Sequence, residues 1–160
     1  MATRLPPPLW LIVALVWALT TVGCTEQSKA LLPPSAQAEE NRRLVLAFHD
    51  AFFNRRDVDA AARYVAPEYR EHDPRLAGGR QALVDYFRQD FARNPHRSTR
   101  VVRSAVDNDI VFLHLEVKSA PDAHGEAAVE MYRVHEGRIV EHWRVAQPVP
   151  VNSANTNTMF

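Results

Sequence analysis

The sequence predicts an α+β domain, a curved antiparallel sheet with helices on one face, and three observations lead there. Apolar residues recur at helical spacing as far as Ala92, they alternate at strand spacing from Ser98 onward, and Asn94-Pro95 stands at the change. Helices gathered ahead of strands, instead of alternating with them, indicate an antiparallel sheet with its helices segregated.

The first helix is read over Glu39 to Arg56, where Leu44, Val45, Phe48 and Phe52 form one stripe about 100° wide and His49 lies next to it. Asp57 is a suitable N-cap for a shorter second helix, Val58 to Val65, which Pro67 ends. Tyr69 to Pro74 reads as a short extended piece, because a proline biases the residue before it away from the helical region. Gly78-Gly79 is a turn, and Leu83, Phe87 and Phe91 recur every fourth residue in a third helix, Arg80 to Ala92. Two strands follow, Ser98 to Val106 and Ile110 to Lys118, joined at Asp107-Asn108-Asp109.

The last two strands lie within Glu126 to Pro150 and carry an awkward carboxylate, Glu130, among Val129, Met131 and Tyr132. If His135-Glu136-Gly137 is a three-residue loop closed by a G1 bulge, Val134 pairs with Arg138, Tyr132 with Val140, Glu130 with His142 and Ala128 with Arg144. A two-residue loop sets Glu130 opposite Trp143 instead. The first register is preferred because it separates a polar face of Glu130, Tyr132, His142 and Arg144 from an apolar face of Val129, Met131, Ile139, Trp143 and Val145. Burial would raise the pKa of Glu130, and Arg144 or a charged His142 would lower it, so its surroundings decide whether it is an acid or a base. The apolar face is too large to stay wet, and a homodimer through the sheet is the expected cover.

With 160 residues there is room for one domain, of ordinary globular composition at 46% hydrophobic and 24% charged. Basic and acidic residues balance at 19 each, so no basic field recruits nucleic acid. The seven histidines include His49, His72, His114 and His142, none of them in an H-x-x-x-H or H-E-x-x-H pair, so no metal is expected. Five scattered glycines make no phosphate loop.

After Arg4, Leu9 to Val22 is an uncharged, mostly apolar run, shorter than the roughly 20 residues a spanning helix needs and suited to a signal-peptide core. Thr21-Val22-Gly23-Cys24 resembles a bacterial lipobox, with Thr21 where leucine is usual. The expected organisation is a lipoprotein signal over 1–23, a lipidated Cys24, a tether over 24–38 broken by Pro33-Pro34, a domain over 39–150 and a disordered tail over 151–160. That places an exported domain in the cell envelope, held to a membrane by lipid. A conventional cleavage site at Ala36-Gln37-Ala38 would give a soluble secreted or periplasmic protein instead, and an uncleaved anchor is the third alternative.

Glu71-His72-Asp73-Pro74, the run G-R-x-A-L-x-x-Y-F from Gly79 to Phe87, and strands containing V-E-M-Y-R-V from Val129 and E-H-W from Glu141 occur in an order that resembles the SnoaL-like polyketide cyclase family. That family belongs to the nuclear transport factor 2 superfamily, with ketosteroid isomerase a more distant relative. The resemblance covers Asn41 to Pro150 and implies a cone-shaped α+β barrel, in which a bent sheet wraps three helices and leaves a pocket at one end. It implies a pocket carboxylate at Glu130, a base at His72 or Asp73 and a donor at His49, and the polar face of the last hairpin then sets Tyr132, His142 and Arg144 against the substrate. In ketosteroid isomerase the carboxylic acid at the position of Glu130 stays protonated. The cyclase-like pattern has Asp where this chain has Arg144. The implied activity is cofactor-free acid/base chemistry, an isomerisation or aldol-type cyclisation of a small hydrophobic carbonyl compound. The alternative is a non-catalytic lipoprotein that binds an apolar ligand or an envelope partner, with Glu130 paired to Arg144 or Arg133. Relatives in the superfamily commonly dimerise through the sheet.

Overall fold

The computed structural model describes residues 35–160, so the expected signal segment, Cys24 and most of the tether lie outside the described residues. Helix α1 runs Ala36–His49 and continues as a π-helical turn over Asp50–Asn54, α2 is Ala60–Tyr64 and α3 is Arg80–Arg93. The strands are β1 Val65–Glu71, β2 Ser98–Asp107, β3 Ile110–Lys118, β4 Glu126–His135 and β5 Arg138–Pro148. They form one sheet in the order β1-β5-β4-β3-β2, with β1 parallel to β5 and the other pairs antiparallel. The α+β class is as the sequence predicts. The sheet, however, is mixed and has five strands, and it stays open between β1 and β2 instead of closing into a barrel.

Local chemistry accounts for the shifted boundaries. Helix α1 starts inside the expected tether because the Ser35 hydroxyl accepts the Ala38 N–H at 3.1 Å, an N-cap that satisfies an end donor. The chain leaves the helical path at Arg56, whose φ is +57°. Asp57 accepts the Ala60 N–H as a cap should, at 3.2 Å, yet α2 keeps only five residues because Val65 already pairs with Ile139 of β5. Pro67, which cannot donate to a ladder, falls where the β1 register shifts between Val65 and Arg70, on an edge strand that tolerates it.

The β4–β5 turn is the two-residue alternative, not the preferred three-residue loop, and beyond Val140 the pairing departs from both expected registers. Glu136 and Gly137 take φ of +48° and +71°, the positive pair of a two-residue type I′ turn, so His135 pairs with Arg138 and Val134 with Ile139. An unpaired Val140 then shifts the register, setting Tyr132 opposite His142 and Glu130 opposite Arg144. Ile139 precedes that bulge and is turned inward, fully buried, not out with Trp143 as the sequence suggested. The other outward residues behave as read: Val129, Met131 and Trp143 are half-buried and Val145 is 60% exposed.

The core lies between the sheet's inner face and the helices. Phe48 and Phe52 of α1 and its continuation meet Leu83 and Phe87 of α3 over Val111, Leu113 and Leu115 of β3. The tail 151–160 has no helix or strand, but its end is not free. Phe160 lies 6.1 Å from the His114 ring, and Met159 lines a groove with Val129 and Val145 on the outer face.

Gly125, at φ +75°, opens β4 where a Cβ would run into the Val117 carbonyl. Gly125→Ala should therefore cost at least roughly 2 kcal/mol in urea unfolding, combining αL strain with a backbone collision. A loss below about 0.5 kcal/mol would mean the loop relaxes freely.

Candidate active site

Three neighbouring strands, β1, β5 and β4, each turn polar residues inward by the period of two. Strand β1 sends in Tyr69 and Glu71, with Asp73 following in phase; β4 sends in Glu130 and Tyr132; β5, beyond its bulge, sends in His142 and Arg144. These groups line one end of a cavity of about 50 Å³ whose other walls include Phe48, Phe53, Leu83 and Phe87.

His142 is the hub. It is 7% exposed, and its Nδ1 lies 2.9 Å and 3.1 Å from the two Glu71 carboxylate oxygens. Its Nε2 stands 3.8 Å from Glu130 Oε2 and has no hydrogen-bond partner. Glu71 also accepts the Tyr69 hydroxyl at 2.5 Å and the His72 and Asp73 N–H groups at 3.0 and 2.8 Å. Glu130 accepts the Tyr132 hydroxyl, and Arg144 Nε lies 3.5 Å from its Oε1 while the rest of that guanidinium contacts Glu126.

Burial works against charge on His142, Glu130 and Glu71, and pairing overrides it. For His142 burial pushes the pKa down, but the carboxylates of Glu130 and Glu71 raise it to about 9, so the ring is an imidazolium at neutral pH. Burial pushes the Glu130 carboxyl up, but His142 and the Tyr132 hydroxyl bring it well below the usual carboxylate range. Glu71 is likewise lowered against its burial, by His142 first and then Tyr69. Glu71 and Glu130 thus face two cations, His142 and Arg144, the latter shared with the part-exposed Glu126, which is how buried charge is tolerated.

Glu130, Tyr132, His142, Arg144 and Asp73 thus come together, but the implied roles change. His142 and the Tyr132 hydroxyl hold Glu130 as a carboxylate, in contrast to the protonated acid that the resemblance to ketosteroid isomerase implies. Asp73 is held by Arg75 at 2.9 and 2.5 Å, which lowers its pKa to about 2, as low as that of Glu130, but unlike Glu130 it does not adjoin the partnerless His142 Nε2. His72 is outside the cavity, because it falls one residue out of phase with Asp73. It is exposed and stacks on the outward Trp143, with ring centroids 4.6 Å apart and planes 4° from parallel. His49 is buried behind the cavity wall, 5.1 Å from the Phe53 ring, and burial lowers its pKa so that it is neutral. Its Nε2 has no partner, and it does not join the polar cluster. Glu71 and Tyr69 were not singled out from the sequence. Their signal was the two-residue spacing to Asp73 on extended backbone, which puts all three on one side.

Residues 45–142 match a family model described as a SnoaL-like domain. In structure the chain is similar to a putative SnoaL-like polyketide cyclase from Jannaschia sp. CCS1, with 15% identity, a TM-score of 0.63 and coverage of 76% of this chain and 99% of that one. It is also similar to a putative ketosteroid isomerase from Kribbella flavida DSM 17836, at 16% identity, TM-score 0.60 and 76% and 86% coverage. A third similar structure is a nuclear transport factor 2-like protein of unknown function from Mesorhizobium loti, at 23% identity, TM-score 0.61 and 72% and 97% coverage. At these identities the likeness is one of fold. None of the curated proteins compared with the chain matches it.

Proposed function

The chain belongs to the SnoaL-like domain family, and on that premise we propose that it is a cofactor-free acid/base enzyme acting on a small, largely hydrophobic carbonyl compound. The observation that carries this reading is His142: its Nδ1 is held by Glu71, while its Nε2 is buried beside Glu130 with no acceptor. A carbonyl oxygen in the cavity would supply that acceptor. Glu130 removes a proton from the carbon next to the carbonyl, and the imidazolium gives its Nε2 proton to the oxygen as the enol forms. The two steps reinforce each other, because the charge that weakens Glu130 as a base disappears as His142 is deprotonated. Where a double bond is conjugated with the enol, Glu130 delivers its proton to the far carbon as the enol hydroxyl returns its own to His142, which completes an isomerisation. In an aldol cyclisation the enol carbon attacks a second carbonyl whose oxygen takes the proton from Glu130, while the enol hydroxyl returns its own to His142. Glu71 positions the ring throughout.

Deuterium uptake next to the carbonyl of simple ketones in D₂O, followed by proton NMR, tests this without knowledge of the natural substrate. The wild-type chain should accelerate exchange. Ketone binding with no accelerated exchange would favour the second reading, a ligand-binding module, which the full pairing of Glu71, Asp73 and Glu130 supports.

The apolar run from Leu9 and the lipobox-like Thr21 to Cys24 support an exported, lipid-anchored protein. Cys24→Ala should move it from the membrane to the soluble fraction, and continued membrane retention would remove the lipid anchor from the reading. The half-buried Val129, Met131 and Trp143 beside exposed Val145 support a homodimer through the outer face of the sheet. A dimeric mass is expected by light scattering at micromolar concentration, and a monomeric mass would exclude it.

A further inference from the structure

We propose that the compound bound in this cavity carries a carboxylate as well as its carbonyl, and that Arg97 is the residue that recognises it; the inference rests on the acid/base reading for the placement of the carbonyl at His142. Among the described residues, His142 Nε2 and Arg97 Nε are buried polar atoms without a hydrogen-bond partner, and both residues line the same cavity. Both atoms are donors, since a guanidinium keeps its protons and the imidazole is held charged between two carboxylates. A ligand that satisfies both must present two acceptors, and a guanidinium favours an anionic oxygen, ideally a planar carboxylate.

The other cations of the lining are already engaged. Arg75 makes two bonds to Asp73, and Arg144 is shared between Glu126 and Glu130. Arg97 reaches only Asp90 Oδ2, at 3.4 Å, and Asp90 takes a shorter bond of 2.8 Å from Asn94. Arg97 is therefore the least committed of the three arginines facing the cavity.

The fold also sets the spacing of the two groups. Arg97 directly precedes β2, and His142 lies on β5, three strands away in the order β5-β4-β3-β2. The step across the strands alone is roughly 14 Å at about 4.8 Å per strand. The pairing of Ser98 with Lys118, Val117 with Glu126 and Glu126 with Pro148 adds an offset of several residues along β5 from His142, so the two inward-reaching side chains and the ligand together span the gap. Phe48, Leu83 and Phe87 line the space, which suits methylene groups. A 2-oxo acid, whose two functional groups adjoin, cannot meet both donors, whereas a keto acid with carbons between them can.

The test measures binding of 4-oxopentanoate, 6-oxoheptanoate and the amide of each to the full chain and to Arg97→Met, by calorimetry. The wild type should bind at least one acid roughly ten- to a hundredfold more tightly than its amide, the range of a charge-assisted hydrogen bond. Arg97→Met should bring that ratio close to one without changing amide affinity. Arg97→Lys, which keeps the charge but loses the fork, should fall between them and guards against a misfolded methionine variant. Equal wild-type affinity for acid and amide, no binding of either acid, or an undiminished preference in both variants would overturn the inference. Deuterium uptake is read on the same samples. Selective acid binding without exchange would sink the enzymatic reading alone, and exchange without acid preference would sink the carboxylate alone.

Discussion

Replacing Glu130 by Gln should lower turnover of any accepted ketone by roughly 10²- to 10⁴-fold, the span expected for loss of a positioned base, while ligand affinity stays within a few fold. The substitution suits the question because the amide has nearly the same shape, and its oxygen can still accept the Tyr132 hydroxyl. What disappears is the negative charge. Two effects follow, and they can be separated. The base is gone, which removes the proton-abstraction step, and His142 loses one of the two carboxylates that hold its proton. The His142 titration midpoint, followed by NMR, should move down from about 9 toward its ordinary value. Undiminished turnover would exclude Glu130 as the base. Lost turnover with an unmoved His142 midpoint would mean the two side chains do not share charge as their 3.8 Å approach indicates.

Local pattern was enough to locate some of these residues and not others. Helix α3, β2 and β3 were legible because their apolar periods are continuous and their ends carry turn residues, such as Asn108 at φ +55°. Strand β1 was mostly hidden, since its parallel pairing with β5 is a contact between residues some 70 positions apart, and nothing local announces it. The polar face of the last hairpin was read correctly through a wrong register. Beyond Val140 the observed pairing differs from the expected one by two residues, which keeps each side chain on its face. Before Val140 it differs by one, and Ile139 changes sides. Protonation states were not legible at all. They depend on Glu71 arriving beside His142 from β1, so the residues around Glu130 in sequence left acid and base both open and only the resemblance to ketosteroid isomerase implied a protonated acid, whereas the assembled site holds a carboxylate.

The same arrangement predicts how stability varies with pH. The folded-state pKa of His142 is raised from 6.5 to about 9, so its contribution to stability is fully present below pH 6.5 and is lost as pH rises through 9. A shift of that size corresponds to something on the order of 3 kcal/mol. Glu71 and Glu130 are shifted the opposite way, so their contribution is present above pH 4.5 and is lost as pH falls through their lowered values. These shifts describe one set of contacts from its two sides and are not summed. Together they place the largest contribution of the cluster between about pH 4.5 and 6.5. Urea unfolding of wild type and His142→Gln at a series of pH values isolates the term, because pH effects from the rest of the chain cancel in the difference. That difference should be greatest below pH 6.5 and shrink by roughly 3 kcal/mol toward pH 9. Turnover should fall over the upper end of the same range, since the group that donates to the carbonyl is the group being deprotonated. A stability difference that stays flat from pH 6.5 to 9 would mean that His142 is neutral in the fold. Glu71 and Glu130 would then face each other across an uncharged ring, and one of the two carboxylates would have to hold the proton.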